Sequence, residues 1–308
     1  MQPDEALEGA TVLITGGAGF IGSHIAEGLA GRTDVRVLDD LSSGTADDVP
    51  PAATVHVGDI RDDEVVADAM AGVDVVFHEA AVVSVDESID RPVETDAVNV
   101  GGTLSVLEAA RREDARVVFA SSAAVYGHPD RIPVGEGDRT NPESPYGVSK
   151  LAADQYVRLF ADLYDVPTVS LRYFNVYGPR QSGAYAGVVT AFVDQARAGG
   201  PITVHGDGEQ TRDFVHVDDV VRANLHAATT DAVGRAYNVG TGSSVTIRDL
   251  AEQIRALVNP AVDIVHTDPR DGDIDESRAR TERARSALGF ESRVSLEAGL
   301  KTVDGTRE

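Results

Sequence analysis

The sequence predicts a doubly wound α/β protein: a parallel sheet with helices on both faces, joined to a second, smaller α/β lobe. Two observations carry that prediction. Short apolar runs alternate with longer segments of helical spacing through the first half, and after about residue 171 the rhythm loosens into loops, short strands and helices. The runs ATVLIT (10–15), DVRVLD (34–39), TVHVG (54–58), VDVVFH (73–78), ARVVFAS (115–121) and PTVSLRY (167–173) read as buried parallel strands. Between them FIGSHIAEGLAG, DDEVVADAMAG and PVETDAVNVGGTLSVLEAARRE carry helical spacing, the last as one long helix near 92–112. Turn clusters at GPRQSG, HGDGEQ and TGSS punctuate the second half. The expected division is therefore 1–170 for the sheet domain and 171–308 for the smaller lobe, with some later segments returning to the first.

Composition narrows the classes of function. With 308 residues, 42% of them apolar, the chain can bury a core of one large or two modest domains. It has no cysteine, which excludes disulfides, a thiolate nucleophile and cysteine metal sites, and its eight histidines show no metal-ligand spacing, so no metal is expected. A formal charge of -24 opposes nucleic acid and anionic membranes as partners. Such a surface suits a protein kept soluble in concentrated salt, where carboxylate repulsion is screened. MQPDEALEGA lacks the pattern of a signal peptide and no run of about 18 apolar residues occurs, so a cytoplasmic protein is expected.

TGGAGFIG places Gly16, Gly19 and Gly22 between the first strand and the first helix, with Phe20 and Ile21 at the helix start. A glycine turn lets backbone N–H groups approach a pyrophosphate, and the helix dipole favours its charge. Asp39 ends the second strand twenty residues after Gly19, where a carboxylate accepts hydrogen bonds from ribose hydroxyls and repels a 2′-phosphate; NAD is expected over NADP. Asp40 follows it, and Asp59 and Ile60, after the third strand, are placed to flank the adenine.

SPYGVSK holds the candidate chemistry. Of 27 basic residues only Lys150 and Lys301 are lysines, and Lys301 stands in the polar C-terminal tail. Pro145 suits a first helical turn, so Tyr146 and Lys150 share one helix face. A phenol with a pKa near 10 is a poor base at neutral pH; a shift of about three units costs roughly 4 kcal/mol, which Lys150 and a nicotinamide cation can supply together. At the end of the fifth strand FASSAAVYG offers Ser122 as proton relay to Tyr146, with Ser121 as the alternative.

Together TGGAGFIG, ASSAAVYG, SPYGVSK, LRYFNVYGPR, GDGEQTRDFVHVDD and PRDGD resemble the extended short-chain dehydrogenases/reductases, and within them the UDP-glucose 4-epimerases, over residues 10–290. The resemblance implies a Rossmann sheet, tightly held NAD, a catalytic group of Ser122, Tyr146 and Lys150, and a nucleotide-sugar bound between the lobes. It further implies that Ala80, Asn99 and Tyr173 line the cofactor and that Ser84, Asn175, Arg212, Arg270 and Asp273 meet the substrate. The related 4,6-dehydratases carry an Asp-Glu pair where this chain has Ala123 and Ala124, and methyl groups move no protons. Ala124 also speaks against the decarboxylases of the family, and Asn175 against its uronate epimerases. Ser277, four residues after Asp273, stands where a bulky tyrosine excludes N-acetyl groups, so UDP-N-acetylhexosamines are expected besides UDP-glucose and UDP-galactose. A homodimer built from the helix near 92–112 and the Tyr146 helix is also implied. A binding protein without catalysis is the other class, and the retained Ser122, Tyr146 and Lys150 argue against it.

Overall fold

A computed structural model describes residues 5–182, 186–270 and 272–303; Asp271 of PRDGD and the first four residues lie outside the described residues. The strands are β1 (Thr11–Thr15), β2 (Asp34–Asp39), β3 (Thr54–Val57), β4 (Val75–His78), β5 (Arg116–Ser122), β6 (Thr168–Tyr173), β7 (Asn175–Tyr177), β8 (Ile202–His205), β9 (Thr211–Arg212), β10 (Phe214–His216), β11 (Arg235–Val239), β12 (Val245–Thr246) and β13 (Ile264–Thr267). The helices are α1 (Phe20–Leu29), α2 (Asp63–Met70), α3 (Val85–Asp90), α4 (Pro92–Asp96), α5 (Thr103–Arg112), α6 (Pro145–Tyr164), α7 (Val188–Arg197), α8 (Val217–Thr229), α9 (Ile247–Val258), α10 (Glu282–Leu288) and α11 (Leu296–Val303).

Seven parallel strands form the main sheet in the order β11-β6-β5-β4-β1-β2-β3. All six strands expected from the apolar runs are in it. The seventh, β11, returns from the second half of the chain. Helices cover both faces, as continuous apolar runs require. On one face Ile25 and Leu29 of α1 and Val220 and Ala223 of α8 pack on Ile14, Val37, Phe77 and Leu171. On the other, Val66 of α2, Leu107 of α5 and Val157 of α6 meet Leu13, Val76 and Phe119. The order reverses between β1 and β4, and the crevice outside the strand ends at that point is where such sheets take ligands.

Three two-stranded pairs, β10 with β7, β12 with β9 and β13 with β8, lie outside the main sheet. Phe192, Val204, Ile247 and Ile254 gather in a separate apolar cluster there.

The helix expected near 92–112 is interrupted. Between α4 and α5 the residues Ala97–Gly102 wind as one wide π turn, a feature with no fixed residue signature. Helix α6 starts as its sequence dictates: Ser144 Oγ accepts the Gly147 amide at 3.1 Å and Pro145 occupies the first turn. It ends at Asp165 in the left-handed region, φ 57°.

A buried charge cluster fixes α6 on the sheet. Asp154 of α6, fully buried, accepts from Arg172 Nε at 3.0 Å, Ser170 Oγ at 2.7 Å, Ser121 Oγ at 3.1 Å and Arg158 Nε at 2.9 Å. Burial pushes its carboxyl up, but the Arg172 charge and hydrogen bonds, with those of Ser170 and the Arg158 charge, outweigh burial and hold it below the usual carboxylate range. A depressed folded pKa contributes stability above the unfolded value near 3.9, and that stability is lost as acid takes the pH through the folded value. Asp154→Asn leaves the Arg172 guanidinium buried without its counter-charge, so denaturant unfolding at pH 7 should show a loss of about 3–5 kcal/mol, shrinking below about pH 4; an unchanged midpoint at pH 7 contradicts this account.

Candidate active site

The glycine turn is built for close backbone approach. Gly16 stands at φ +68°, and a Cβ there would meet the Ala80 nitrogen at 2.6 Å; one on Gly22 would lie 2.2 Å from the Gly16 carbonyl oxygen. Gly19 differs: only the Gly16 oxygen, at 3.2 Å, would come near its Cβ, so its other side is open. No side chain caps α1, and the first-turn amides of Phe20, Ile21 and Gly22 have no intrahelical acceptors. An open glycine turn facing an uncapped helix start fits a pyrophosphate. Asp39 is buried beside it, accepting from Ala18 N at 2.9 Å and Leu41 N at 2.8 Å. Burial raises its carboxyl above the usual value, with the two amides working against that rise. Each carboxylate oxygen keeps a second acceptor site for a ribose hydroxyl. Asp40 is exposed and holds Ser42, whose amide lies at 2.9 Å.

At the ends of β5 and α6 the expected catalytic group comes together. Strand alternation turns the two candidate serines to opposite sides. Ser121 is buried and turned toward Asp154, whereas Ser122 accepts the Ala124 amide at 3.1 Å and lies on the side of Tyr146, whose phenol it acts on. Lys150 is buried, its Nζ donating to the Ala120 carbonyl at 2.8 Å and standing 5.0 Å from the centre of the Phe119 ring. Burial lowers its ammonium to about 8, and Glu79 opposes the fall. In the folded chain alone the Tyr146 phenol sits above its ordinary value, because burial raises it more than the Ser122 hydrogen bond lowers it. The lowering expected for the phenol is thus not a property of the protein groups by themselves.

The other predicted residues divide into two sets. Asn99 is buried in the π turn, its Oδ1 accepting Val82 N at 2.8 Å and its Nδ2 donating to Val82 O at 3.0 Å and Ser149 Oγ at 2.9 Å. It clamps the loop after β4 to α6. Ser84 caps α3 by accepting Glu87 N at 3.2 Å, and Asp59 pairs with Arg61 at 2.5 Å. Ile60 packs in the core against Gly102, where an added Cβ would meet its Cδ1 at 2.4 Å. Ala80 donates weakly to Thr15 Oγ1 at 3.4 Å. Tyr173 is buried, donating to Glu79 Oε1 at 2.9 Å and accepting from Asn224 Nδ2 at 2.8 Å.

Among the substrate residues, Arg212 and Asp273 are joined by a direct ion pair, and Asn175 Nδ2 donates to the Asp213 carbonyl at 3.1 Å. Ser277 is buried one residue before Arg278, whose Nε is buried without a partner; Arg270 is exposed in the turn to Asp273. Two acids escaped the sequence reading. Asp213, buried, receives the amides of Thr241, Gly242 and Ala279 and so ties three chain segments together. Glu79, partly exposed, follows β4; its only signal is an acid inside FHEAA.

Residues 12–240 match the NAD-dependent epimerase/dehydratase family. The chain belongs to that family. It is 39% identical over 299 residues, 95% of its length and 96% of the relative's, to a putative UDP-glucose 4-epimerase of Methanocaldococcus jannaschii. It is 32% identical, covering 96% of itself and 97% of the relative, to a UDP-N-acetyl-alpha-D-glucosaminuronate decarboxylase of Bacillus cytotoxicus. The solved UDP-glucose 4-epimerase of Thermotoga maritima with UDP-glucose superposes with a TM-score of 0.93 at 36% identity, covering 96% of this chain and 97% of that one. As a member of that family the chain is an NAD-dependent enzyme, similar to the UDP-glucose 4-epimerases, which are isomerases. Gly22→Ala drives a methyl into the Gly16 carbonyl, so NAD affinity measured by calorimetry should fall at least about tenfold; wild-type affinity would remove the glycine turn from the cofactor site.

Proposed function

We propose that the chain is a UDP-hexose 4-epimerase that interconverts UDP-glucose and UDP-galactose and also accepts the N-acetylated UDP-hexosamines. The observation that carries this reading is the composition of the strand end around Tyr146: Ser122 beside it, Lys150 one turn along α6, and methyl groups at Ala123 and Ala124 in the adjoining turn. That set moves one proton at one sugar carbon. It holds no second acid and base for dehydration.

NAD supplies a hydride acceptor that returns the hydride. Gly16, Gly19, Gly22, the first turn of α1 and Asp39 are the groups to hold it. Tyr146 takes the C4 hydroxyl proton, directly or through Ser122, and gives it back when the configuration has inverted. Lys150 supplies the positive charge that favours the phenolate. Arg212, Asn175, Arg270 and Asp273 are the donors and acceptors we assign to the nucleotide diphosphate and its ribose, since a guanidinium fork matches phosphate oxygens. Ser277 leaves the sugar C2 side unwalled by an aromatic ring.

Tyr146→Phe should lower kcat for UDP-glucose/UDP-galactose exchange by about 10²–10⁴-fold while NAD stays bound, assayed across a panel of UDP-sugars. Undiminished turnover sinks the Tyr146 assignment; exchange of UDP-glucose with none of the N-acetylated pair sinks the assignment of Ser277.

We also infer a homodimer. Of the twelve exposed large apolar side chains among the described residues, nine lie at Val83, Val85, Ile89 and Val93 and along α6 at Val148, Tyr156, Leu159, Leu163 and Tyr164. Val93 is 82% and Leu163 65% exposed, an apolar face that a monomer would leave in water. Light scattering at high salt should give twice the chain mass, and Val93→Glu with Leu163→Glu should halve it. A wild-type monomer overturns the inference.

A further inference from the structure

Asp213 has no part in the scheme above, yet three of the residues assigned there to the substrate hang on it. It stands between Arg212 of β9 and Phe214 of β10, fully buried, so no ligand reaches its carboxylate. Oδ1 accepts from Thr241 N at 2.8 Å and Thr241 Oγ1 at 2.7 Å. Oδ2 accepts from Gly242 N at 3.0 Å and Ala279 N at 3.1 Å. A carboxylate offers about four lone-pair sites, and these donors fill them. The Asp213 backbone carbonyl accepts two more bonds, from Asn175 N at 3.0 Å and Asn175 Nδ2 at 3.1 Å.

Each bond leads to the substrate lobe's own working groups. Arg212 precedes Asp213 in the chain. Asn175 is held on its carbonyl by main chain and side chain together. Ser277 lies two residues before Ala279, in a segment that Thr211 also grips, its amide on Asp275 O at 2.8 Å and its carbonyl on Ser277 N at 3.1 Å. The segment carrying Ser277 is thus fixed by Thr211 on one side and by the Asp213 carboxylate on the other. Gly240 makes room for this approach: a Cβ there would lie 2.9 Å from Asp213 Oδ2 and 2.7 Å from Ala279 Cβ. The donors to the carboxylate are all neutral, so no counter-charge among them offsets the cost of burying it. Apolar side chains could pack the same segments at lower cost; directed bonds add one fixed set of distances between them.

We propose that Asp213 is a positioning residue for substrate recognition: buried beneath the cleft, it holds Arg212, Asn175 and Ser277 at the spacing a nucleotide-sugar requires, without touching the ligand. The proposal rests on the reading of those three as substrate residues. Binding, rather than proton or hydride transfer, is what loosening Asp213 impairs, because Ser122, Tyr146 and Lys150 stand on β5 and α6 and receive none of its bonds.

Asp213→Asn keeps the shape and leaves acceptor sites on one oxygen only, so either Thr241 or the Gly242 and Ala279 amides lose their partner. In NAD-loaded protein the dissociation constant of UDP, measured by calorimetry, and KM for UDP-glucose should each rise at least about tenfold, while kcat stays within about threefold and NAD affinity does not move. A merely structural tie lowers the unfolding midpoint and leaves the UDP affinity of the folded protein alone. Unmoved UDP affinity in folded Asp213→Asn therefore overturns the proposal, whatever its midpoint. Wild-type protein that binds no UDP overturns the nucleotide-sugar reading first and this proposal with it. If Asp213→Asn does not fold, Thr241→Val decides: it removes one donor at a half-buried position and should raise the UDP dissociation constant about threefold. An unmoved constant overturns the proposal.

Discussion

The site depends on one ammonium held out of water. Lys150 Nζ reaches from α6 across the end of β5 to the Ala120 carbonyl, with the Phe119 ring beside it. A compact point charge can make that bond in a buried position; the planar fork of arginine presents five donors that the same place cannot satisfy. This explains why a chain with 25 arginines has lysine at this position. The bond also sets the height of Tyr146, one turn earlier, over the strand end where Ser122 stands.

Holding that ammonium in place demands that α6 not slide, and Asp154 one turn further meets the demand. It gathers hydrogen bonds from β5 through Ser121 and from β6 through Ser170 and Arg172. Arg172 in turn donates to Tyr126 Oη at 3.0 Å, and Tyr126 donates to Asn238 of β11 at 2.6 Å. The helix that carries Tyr146 and Lys150 is thereby referenced to three adjacent strands by polar contacts with fixed directions. Apolar packing alone fixes distance but leaves rotation about the helix axis softer.

What the sequence disclosed follows from what burial does to composition. β1, β2, β4, β5 and β6 were legible because strands covered on both faces are continuous apolar runs, whereas β3, also expected to be buried, is an exposed edge strand with Val57 64% accessible. β11 was not legible, since RAYNV contains Asn238, whose buried amide is satisfied by Tyr126 and by Val134 O at 2.8 Å. The π turn escaped because it is fixed by where Asn99 and Ile60 must sit rather than by any residue type. Tyr146 and Lys150 were legible from spacing, but their protonation was not: the raised phenol depends on burial that spacing does not contain. Glu79 was hidden as one acid among 51. The roles of Asn99 and Ser84 as clamp and cap follow from hydrogen-bond partners, which no single sequence prints.

Under the proposed reading, the pairing of Arg212 with Asp273 bears on how a chain of charge -24 would take an anionic nucleotide-sugar. Burial lowers the Arg212 guanidinium, and the Asp273 charge and hydrogen bond oppose that fall. An unpaired, partly buried arginine would be costly to desolvate and would collect any small anion. Paired, it presents a neutral couple to the cleft, with Thr211 O taking a further N–H at 2.8 Å. Under the proposed reading, a diphosphate gains affinity by taking over remaining donors of the fork while the ribose hydroxyls satisfy the aspartate. A ligand bearing both groups exploits the couple, and one bearing phosphate alone must displace a carboxylate for its place. Discrimination between nucleotide-sugar and free phosphate then lies in the ion pair itself, so it needs no net positive field around the cleft.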